Sequence, residues 1–220
     1  MQALRPVTAD VANKTTVRAQ YAKGAVDTEA VEGYLEELGH ESGTETFVAV
    51  KAYVDNWRWA RVPIYLRTGK RLKKRHSEIV VQFRPTPVDM FGSESAQSNR
   101  LVINVQPDEG VQLFLQIKEP GPGGLRIRSL PLNLSYGDNF LVRYPDAYER
   151  LLMDVVRGNL SLFIRREEVE AAWGWVDGLL AAWDQANVPM RSYPAGLSDG
   201  PIESQMLMKT DNREWWEVPE

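Results

Sequence analysis

Apolar and polar positions alternate through much of the first 134 residues, and this period of two predicts a series of β-strands. The clearest run covers residues 46–54, where every second residue from Val48 to Val54 is apolar and falls on one face. The other predicted strands cover residues 17–21, 62–66, 79–83, 101–105, 111–117 and 125–134.

Turn residues separate several of these strands. Residues 106–110, Gln-Pro-Asp-Glu-Gly, are typical of a tight turn and predict a hairpin between the flanking strands. The segment 120–124 is rich in Pro and Gly, and glycine-rich loops that precede a helix can bind phosphate. Alternating leucines follow it instead of a helix, so the segment is interpreted as a hairpin connection.

After Pro145 the apolar period changes to that of a helix. Apolar residues recur at helical spacing from Tyr148 to Val156, which predicts a helix between Pro145 and Gly158. Further helices are predicted over residues 29–38, 167–187 and 202–208.

The order of these elements predicts the fold class. Strands come first and helices follow, without strand–helix–strand alternation. This order is typical of an α+β fold with a large, mostly antiparallel sheet and helices packed on one face. We expect a lead-in segment over residues 1–15 and a single domain over residues 16–220.

Composition excludes several functional classes. The chain has no cysteine, so disulfides, Cys-ligated zinc and iron–sulfur clusters are excluded. Its two histidines, His40 and His76, show no metal-binding spacing, so no metal is predicted. The net charge of −4 argues against a general nucleic-acid-binding protein. We find no signal peptide and no apolar run as long as a membrane span, and we expect a cytoplasmic protein.

The strongest functional signal lies in residues 55–72, Asp-Asn-Trp-Arg-Trp-Ala-Arg-Val-Pro-Ile-Tyr-Leu-Arg-Thr-Gly-Lys-Arg-Leu. An aromatic turn leads into the predicted strand 62–66, and Gly69 and Lys70 follow its end. A glycine here lets the backbone approach a ligand, and the neighbouring lysine places an ammonium beside it. A small-anion site is therefore one interpretation of the basic run 70–76, but from the residues alone a solvated loop is favoured, and nucleic acid is a weaker alternative.

Several segments resemble one known family. The stretch 55–72, the Gln-Pro-x-Glu turn at 106–109 and the Pro-Asp-Ala-Tyr-Glu-Arg-Leu run at 145–151 match it in order and spacing. That family is the C-terminal domain of glucose-6-phosphate dehydrogenase, of the bacterial type. The resemblance begins at about residue 5 and extends to the end of the chain, so it covers almost the whole sequence.

The resemblance implies a function and a set of site residues. Members of the family oxidise glucose 6-phosphate to 6-phosphogluconolactone, transfer hydride to NADP and begin the pentose phosphate pathway. The domain that this chain resembles carries the substrate side of the site, and its sheet forms the interface of a dimer or tetramer. The substrate-binding positions that match are Lys70, Arg75 and Gln106.

Two motifs of the family do not occur in this sequence. They are the catalytic Arg-Ile-Asp-His-Tyr-Leu-Gly-Lys motif and the glycine-rich coenzyme motif of an N-terminal domain. The resemblance therefore implies that NADP is bound mainly by that other domain and that this chain alone is inactive. The alternative is a stand-alone interaction or regulatory module that keeps the dimerising sheet. The intact substrate-binding positions favour the enzyme part.

Some members of the family hold a second, structural NADP in this domain. Arg67 and Arg165 match basic positions of that site. Asn104, His76 and Val80 stand where those members have Arg or Lys. With three cations missing, we do not expect a second NADP here.

Arg61 is a further departure from the family pattern, because it stands where a glycine usually precedes Val62 and Pro63. If that position requires a positive φ, the arginine would strain or redirect the turn.

Overall fold

The computed structural model describes residues 3–85, 98–122, 126–139 and 147–216. The helices in these ranges are α1 (Ala9–Thr15), α2 (Tyr34–Leu38), α3 (Tyr136–Asn139), α4 (Ala147–Arg157), α5 (Arg166–Ala186) and α6 (Ile202–Lys209). The strands are β1 (Thr16–Ala22), β2 (Gly24–Val26), β3 (Glu29–Val31), β4 (Phe47–Ala52), β5 (Ile64–Gly69), β6 (Ser77–Gln82), β7 (Arg100–Gln106), β8 (Gly110–Lys118), β9 (Ile127–Ser135) and β10 (Met190–Pro194).

The chain forms two compact units, one of residues 1–74 and 148–220 and the other of residues 75–147. The first unit contains a four-stranded sheet in the order β10-β1-β4-β5. Strand β1 pairs in parallel with β10 and antiparallel with β4, and β4 pairs antiparallel with β5. A two-stranded antiparallel sheet of β2 and β3 completes the strands of this unit.

Helices cover both faces of the four-stranded sheet because both faces of β4 are apolar. Val50 and Ala52 face a core formed with α1 and α5, in which Trp183 is 2% exposed. Phe47 and Ala49 point to the opposite face and a second core, to which α2 and α6 contribute. The α+β class is as predicted, whereas the helices of this unit are not confined to one face.

The second unit contains the antiparallel meander β6-β7-β8-β9. Residues that pair directly across an antiparallel sheet share a face, so the register groups the apolar side chains on one side. Five of them are at least 39% exposed. We call this group the β6–β9 apolar face, and its five exposed members are Ile79, Ile117, Leu130, Leu132 and Leu134.

Most predicted elements are confirmed, with three corrections. The strand predicted over 62–66 runs instead from Ile64 to Gly69, because β4 pairs with it as far as Gly69. The predicted helix 29–38 divides into strand β3 and the short helix α2. Strands β2 and β10 and helices α1 and α3 were not predicted. Predictions for residues 86–97, 123–125, 145 and 146 lie outside the described residues.

Neither a membrane-spanning helix nor a metal-binding cluster is found in the described ranges. None of their helices combines the length and the apolar character that crossing a bilayer requires. In the same ranges, no three His, Asp or Glu side chains cluster closely enough to hold a metal ion.

Candidate anion site after strand β5

The first predicted site residue, Lys70, directly follows strand β5. Gly69, the last residue of the strand, packs so closely on the core that an added Cβ would lie 2.7 Å from Phe47 Cδ2. The Lys70 amide donates to the carbonyl oxygen of Thr46 at 2.8 Å. The Lys70 carbonyl accepts a hydrogen bond from the Tyr193 hydroxyl at 2.7 Å. The backbone of Lys70 is therefore held on both sides.

The loop that follows Lys70 is fixed by further contacts. Arg71 has a φ of +51°, in the left-handed region, and its carbonyl accepts from the Gly196 amide at 2.8 Å. The Lys73 amide donates to the Leu197 carbonyl at 3.1 Å. Position 196 requires a glycine, because its φ is +92° and an added Cβ would lie 1.9 Å from the Ala25 carbonyl oxygen. The segment after β10 thus supports the basic loop.

A carboxylate on α2 also anchors this loop. The Arg71 guanidinium donates from Nη2 to Glu37 Oε1 at 2.8 Å, and the Tyr21 hydroxyl donates to Glu37 Oε2 at 2.6 Å. The hydrogen bond from Tyr21, together with that from Arg71, lowers the pKa of Glu37 against the opposing effect of desolvation. The hydrogen bonds with Tyr21 and Glu37 raise the pKa of Arg71. The loop is therefore anchored by a charged pair at neutral pH.

Replacing Glu37 with glutamine is expected to lower the melting temperature of the chain at neutral pH but not in acid. The folded-state pKa of Glu37 is lowered, so its stabilising effect is complete above the unfolded-state pKa, about 4.3 for glutamate. The effect is lost as pH falls through the lower folded-state pKa. Melting temperatures measured from about pH 7 down to about pH 3 should show the difference from the parent narrowing toward zero.

Glu36→Gln is the matched control, because Glu36 lies on the same short helix and makes no hydrogen bond or ion pair within the described ranges. It should melt like the parent throughout. A Glu37→Gln difference that persists unchanged at the lowest pH, or that equals the Glu36→Gln difference, would contradict this account of the anchor.

Unlike Arg67 and Arg71, Lys70 makes no ion pair among the described residues. Arg71 is paired with Glu37, and Arg67 is paired with Asp199 at 2.8 Å. Lys70 is exposed, and no carboxylate in the described ranges lies within ion-pair distance of its ammonium. A fixed backbone that carries an unpaired ammonium is suited to bind an anionic group such as a phosphate.

The other two predicted residues, Arg75 and Gln106, lie in the second unit. Gln106 ends strand β7 and pairs with Ser77, two residues after Arg75, so the register brings these two positions to the same end of the meander. Both side chains are exposed, and neither makes an ion pair or hydrogen bond among the described residues. Their predicted role in binding substrate stays a prediction.

A family model for the glucose-6-phosphate dehydrogenase C-terminal domain matches residues 1–216. The chain belongs to this family. It is 53% identical over 218 residues to glucose-6-phosphate 1-dehydrogenase of Mycolicibacterium smegmatis and 51% identical over 218 residues to that of Rhizobium meliloti. Each alignment covers 98% of this chain but 44% of the relative, so the chain spans less than half the length of these curated relatives.

Solved structures of this family have the same fold. A glucose-6-phosphate dehydrogenase in complex with its substrate glucose 6-phosphate matches with a TM-score of 0.83 and 29% identity, over 98% of this chain and 43% of that one. The glucose-6-phosphate 1-dehydrogenase of Mycobacterium avium matches with a TM-score of 0.75 and 28% identity, over 99% of this chain and 43% of that one. The predicted membership of the glucose-6-phosphate dehydrogenase C-terminal domain family is thereby confirmed.

Within this glucose-6-phosphate dehydrogenase domain, Arg67 is committed to internal contacts. Its guanidinium pairs with Asp199 and lies 4.5 Å from the ring centroid of Trp215. Val80 and Asn104 are half-buried on the paired strands β6 and β7, and His76 Nε2 lies 3.7 Å from Glu78 Oε1. These residues do not form a set of free cations that fits the phosphates of a second NADP. The absence of that second NADP stays a prediction.

Arg61, the departure from the family glycine, has a φ of +64°. A side chain in this left-handed region costs roughly 1–2 kcal/mol relative to the ordinary helical region. The turn is closed by hydrogen bonds from the Trp59 amide to Asn56 Oδ1 at 2.8 Å and from the Val62 amide to the Trp59 carbonyl at 3.0 Å. Arg61 therefore has the positive φ on which the expected strain depends.

Sequence reasoning missed the residues that hold the site. Glu37, Gly196 and Tyr193 support Lys70 and Arg71 from positions distant in sequence. A glycine–lysine pair after a strand marks the site itself, but no local pattern marks its supports. The one available signal is Tyr193, a tyrosine in a short segment between two prolines, and it is too weak to predict a strand.

Proposed function

We propose that this chain forms the substrate-side and dimerisation domain of an NADP-dependent glucose-6-phosphate dehydrogenase. The observation that carries the proposal is the exposed Lys70, which makes no ion pair among the described residues and lies on a fixed backbone, in a chain of this family. The complete enzyme would oxidise glucose 6-phosphate to 6-phosphogluconolactone, with NADP as the hydride acceptor. A cytoplasmic location follows from this metabolic role.

Each proposed site residue has a role suited to its chemistry. Lys70 and Arg75 supply positive charge to the sugar phosphate, and each charge-assisted hydrogen bond would contribute about 1.5–3 kcal/mol. Gln106 supplies an amide that can donate to or accept from a sugar hydroxyl. The base that removes a proton from the sugar lies in the family motif that this sequence lacks. This chain therefore binds and orients the substrate, and other residues perform the hydride transfer.

A parallel assay tests the proposal. NADPH formation is measured with glucose 6-phosphate and NADP, using the complete protein and the purified 220-residue chain. We expect turnover by the complete protein, a strong preference over unphosphorylated glucose, and no turnover by the folded chain alone. A complete protein that fails to oxidise glucose 6-phosphate would reject the proposal. Turnover by the chain alone would place the base within these residues, where His40 and His76 are the only imidazoles.

We propose that the sheet also makes the enzyme a dimer or tetramer. The β6–β9 apolar face supports this, because exposed apolar patches of this extent on soluble proteins are usually interaction surfaces. Both self-association and a stand-alone interaction module would use the same surface. The turnover assay therefore separates an enzyme from a stand-alone module, and Lys70, which makes no ion pair among the described residues, favours the enzyme.

Leu132→Glu is expected to convert the oligomer to monomers, measured by sedimentation equilibrium. Leu132 is 62% exposed on the β6–β9 apolar face, and burying its replacement carboxylate in an interface would leave an unpaired charge. Asn133→Glu is the control, because Asn133 is exposed on the other face of the same strand. Asn133→Glu should keep the parent's mass. Dissociation by both variants, or by neither, would argue against this face.

A further inference from the structure

The buried hydroxyl of Tyr193 is the last side-chain group in a line of hydrogen bonds that ends at the Lys70 carbonyl. The Tyr21 amide donates to Thr46 Oγ1 at 2.9 Å, and Thr46 Oγ1 lies 3.2 Å from the Tyr193 hydroxyl oxygen. Tyr193 in turn donates to the Lys70 carbonyl at 2.7 Å. The side chain of Tyr193 comes from β10 and is completely buried. Hydrogen bonds linked in this way reinforce one another in a buried environment.

We infer that Tyr193 is a positioning residue for the phosphate contact of Lys70. The inference rests on the proposed function, because it assigns Lys70 to the sugar phosphate. A lysine side chain is flexible, so the protein fixes its ammonium chiefly by fixing the backbone that carries it. The amide of Lys70 is held by Thr46 and its carbonyl by Tyr193, which together set the direction in which the side chain leaves the loop.

The hydroxyl, and not the ring, carries this role. The Tyr193 ring packs edge-on against Phe47, with centroids 5.5 Å apart, and against Tyr21, with centroids 6.5 Å apart. A phenylalanine at position 193 would keep both contacts. Burial raises the pKa of Tyr193, so the hydroxyl stays protonated and able to donate across the working pH range. Removing the hydroxyl leaves the Lys70 carbonyl without this donor and frees one side of the peptide.

The test is Tyr193→Phe in the complete dehydrogenase. We expect the KM for glucose 6-phosphate to rise about fivefold, with kcat and the KM for NADP within about twofold of the parent. Tyr34→Phe is the control, because Tyr34 also packs against Tyr21 and its hydroxyl makes no hydrogen bond within the described ranges. Its kinetic constants should match those of the parent.

Two further measurements separate positioning from a general loss of structure. With glucose, which lacks the phosphate, kcat/KM should be the same for Tyr193→Phe and the parent. In a Lys70→Ala background, Tyr193→Phe should raise the KM for glucose 6-phosphate no further, because both changes act through one contact.

Three results would overturn the inference: an unchanged KM for glucose 6-phosphate, an equal loss with glucose, or additive effects of the two substitutions. A parent enzyme that does not oxidise glucose 6-phosphate is recognised before any variant is made. That result would overturn the proposed function and, with it, the role given to Tyr193. The failure of the positioning role and the failure of the proposed function are therefore distinguishable.

Discussion

Replacing Lys70 with alanine in the complete enzyme is expected to raise the KM for glucose 6-phosphate by roughly tenfold or more, which corresponds to the loss of one charge-assisted hydrogen bond. The ammonium is exposed and unpaired among the described residues, so its removal leaves no buried partner unsatisfied. The fold should therefore be unaffected, and the melting temperature should stay close to that of the parent. Steady-state kinetics with glucose 6-phosphate and with glucose measure the effect, which should be confined to the phosphorylated substrate.

Lys74→Ala is the matched control for this prediction. Lys74 is exposed in the same basic loop and makes no ion pair within the described ranges. If Lys70 makes a specific contact, the Lys74 variant should change the KM far less. Equal effects of the two substitutions would instead indicate a diffuse attraction by the loop, as expected of solvated charges. An unchanged KM for Lys70→Ala would reject the site assignment.

Replacing Trp183 with alanine is expected to reduce the free energy of unfolding of the chain by about 3–5 kcal/mol. Trp183, a residue of α5, is 2% exposed and packs against the sheet. Its Nε1 donates to the buried Thr16 Oγ1 at 2.8 Å, and the Arg18 guanidinium lies 5.1 Å from the centroid of its ring. The substitution opens a cavity and leaves the Thr16 hydroxyl without this donor. Urea unfolding measures the change.

Trp173→Ala on the same helix is the control for the core prediction. Trp173 is 63% exposed, so its removal from the 220-residue chain should cost less than about 1 kcal/mol. Trp183→Phe should give an intermediate loss, because it keeps an aromatic ring but removes the donor to Thr16. Similar unfolding free energies for the two alanine variants would show that Trp183 is not central to this core.

The sequence predicts those helices and strands whose own residues show a clear hydrophobic period. Strand β4 is identified by alternation from Val48 onward, and α5 by its apolar stripe and acidic first turn. The end of β5 is not predictable in this way, because Thr68 and Gly69 join the strand only through pairing with Val48 and Phe47. Tertiary pairing, which the local sequence does not encode, decides such boundaries.

Strand β10 and helix α1 were missed for a related physical reason. Met190–Pro194 lacks an alternating pattern, and its parallel partner β1 lies more than 160 residues earlier in the chain. Helix α1 is polar apart from a few residues such as Ala12, which is completely buried against α5. Neither segment has a strong hydrophobic pattern in its own sequence. Each forms because the rest of the unit supplies a surface to cover.

The residues of the candidate site also differ in how well the sequence predicts them. Lys70 follows a glycine at a strand end and matches a family motif, so the sequence identifies it. Tyr193 and Glu37, which hold its backbone and its neighbour Arg71, are separated from it by 123 and 33 residues and have no local marker. The residues that contact a ligand are thus easier to recognise from sequence than the residues that place them.

The most direct test of the central claim is the structure of the complete enzyme crystallised with glucose 6-phosphate. We expect the phosphate to lie within about 3 Å of the Lys70 ammonium. We also expect Tyr193 still to donate to the Lys70 carbonyl in that complex. A sugar phosphate bound away from the loop after β5, with Lys70 exposed to solvent, would contradict the account.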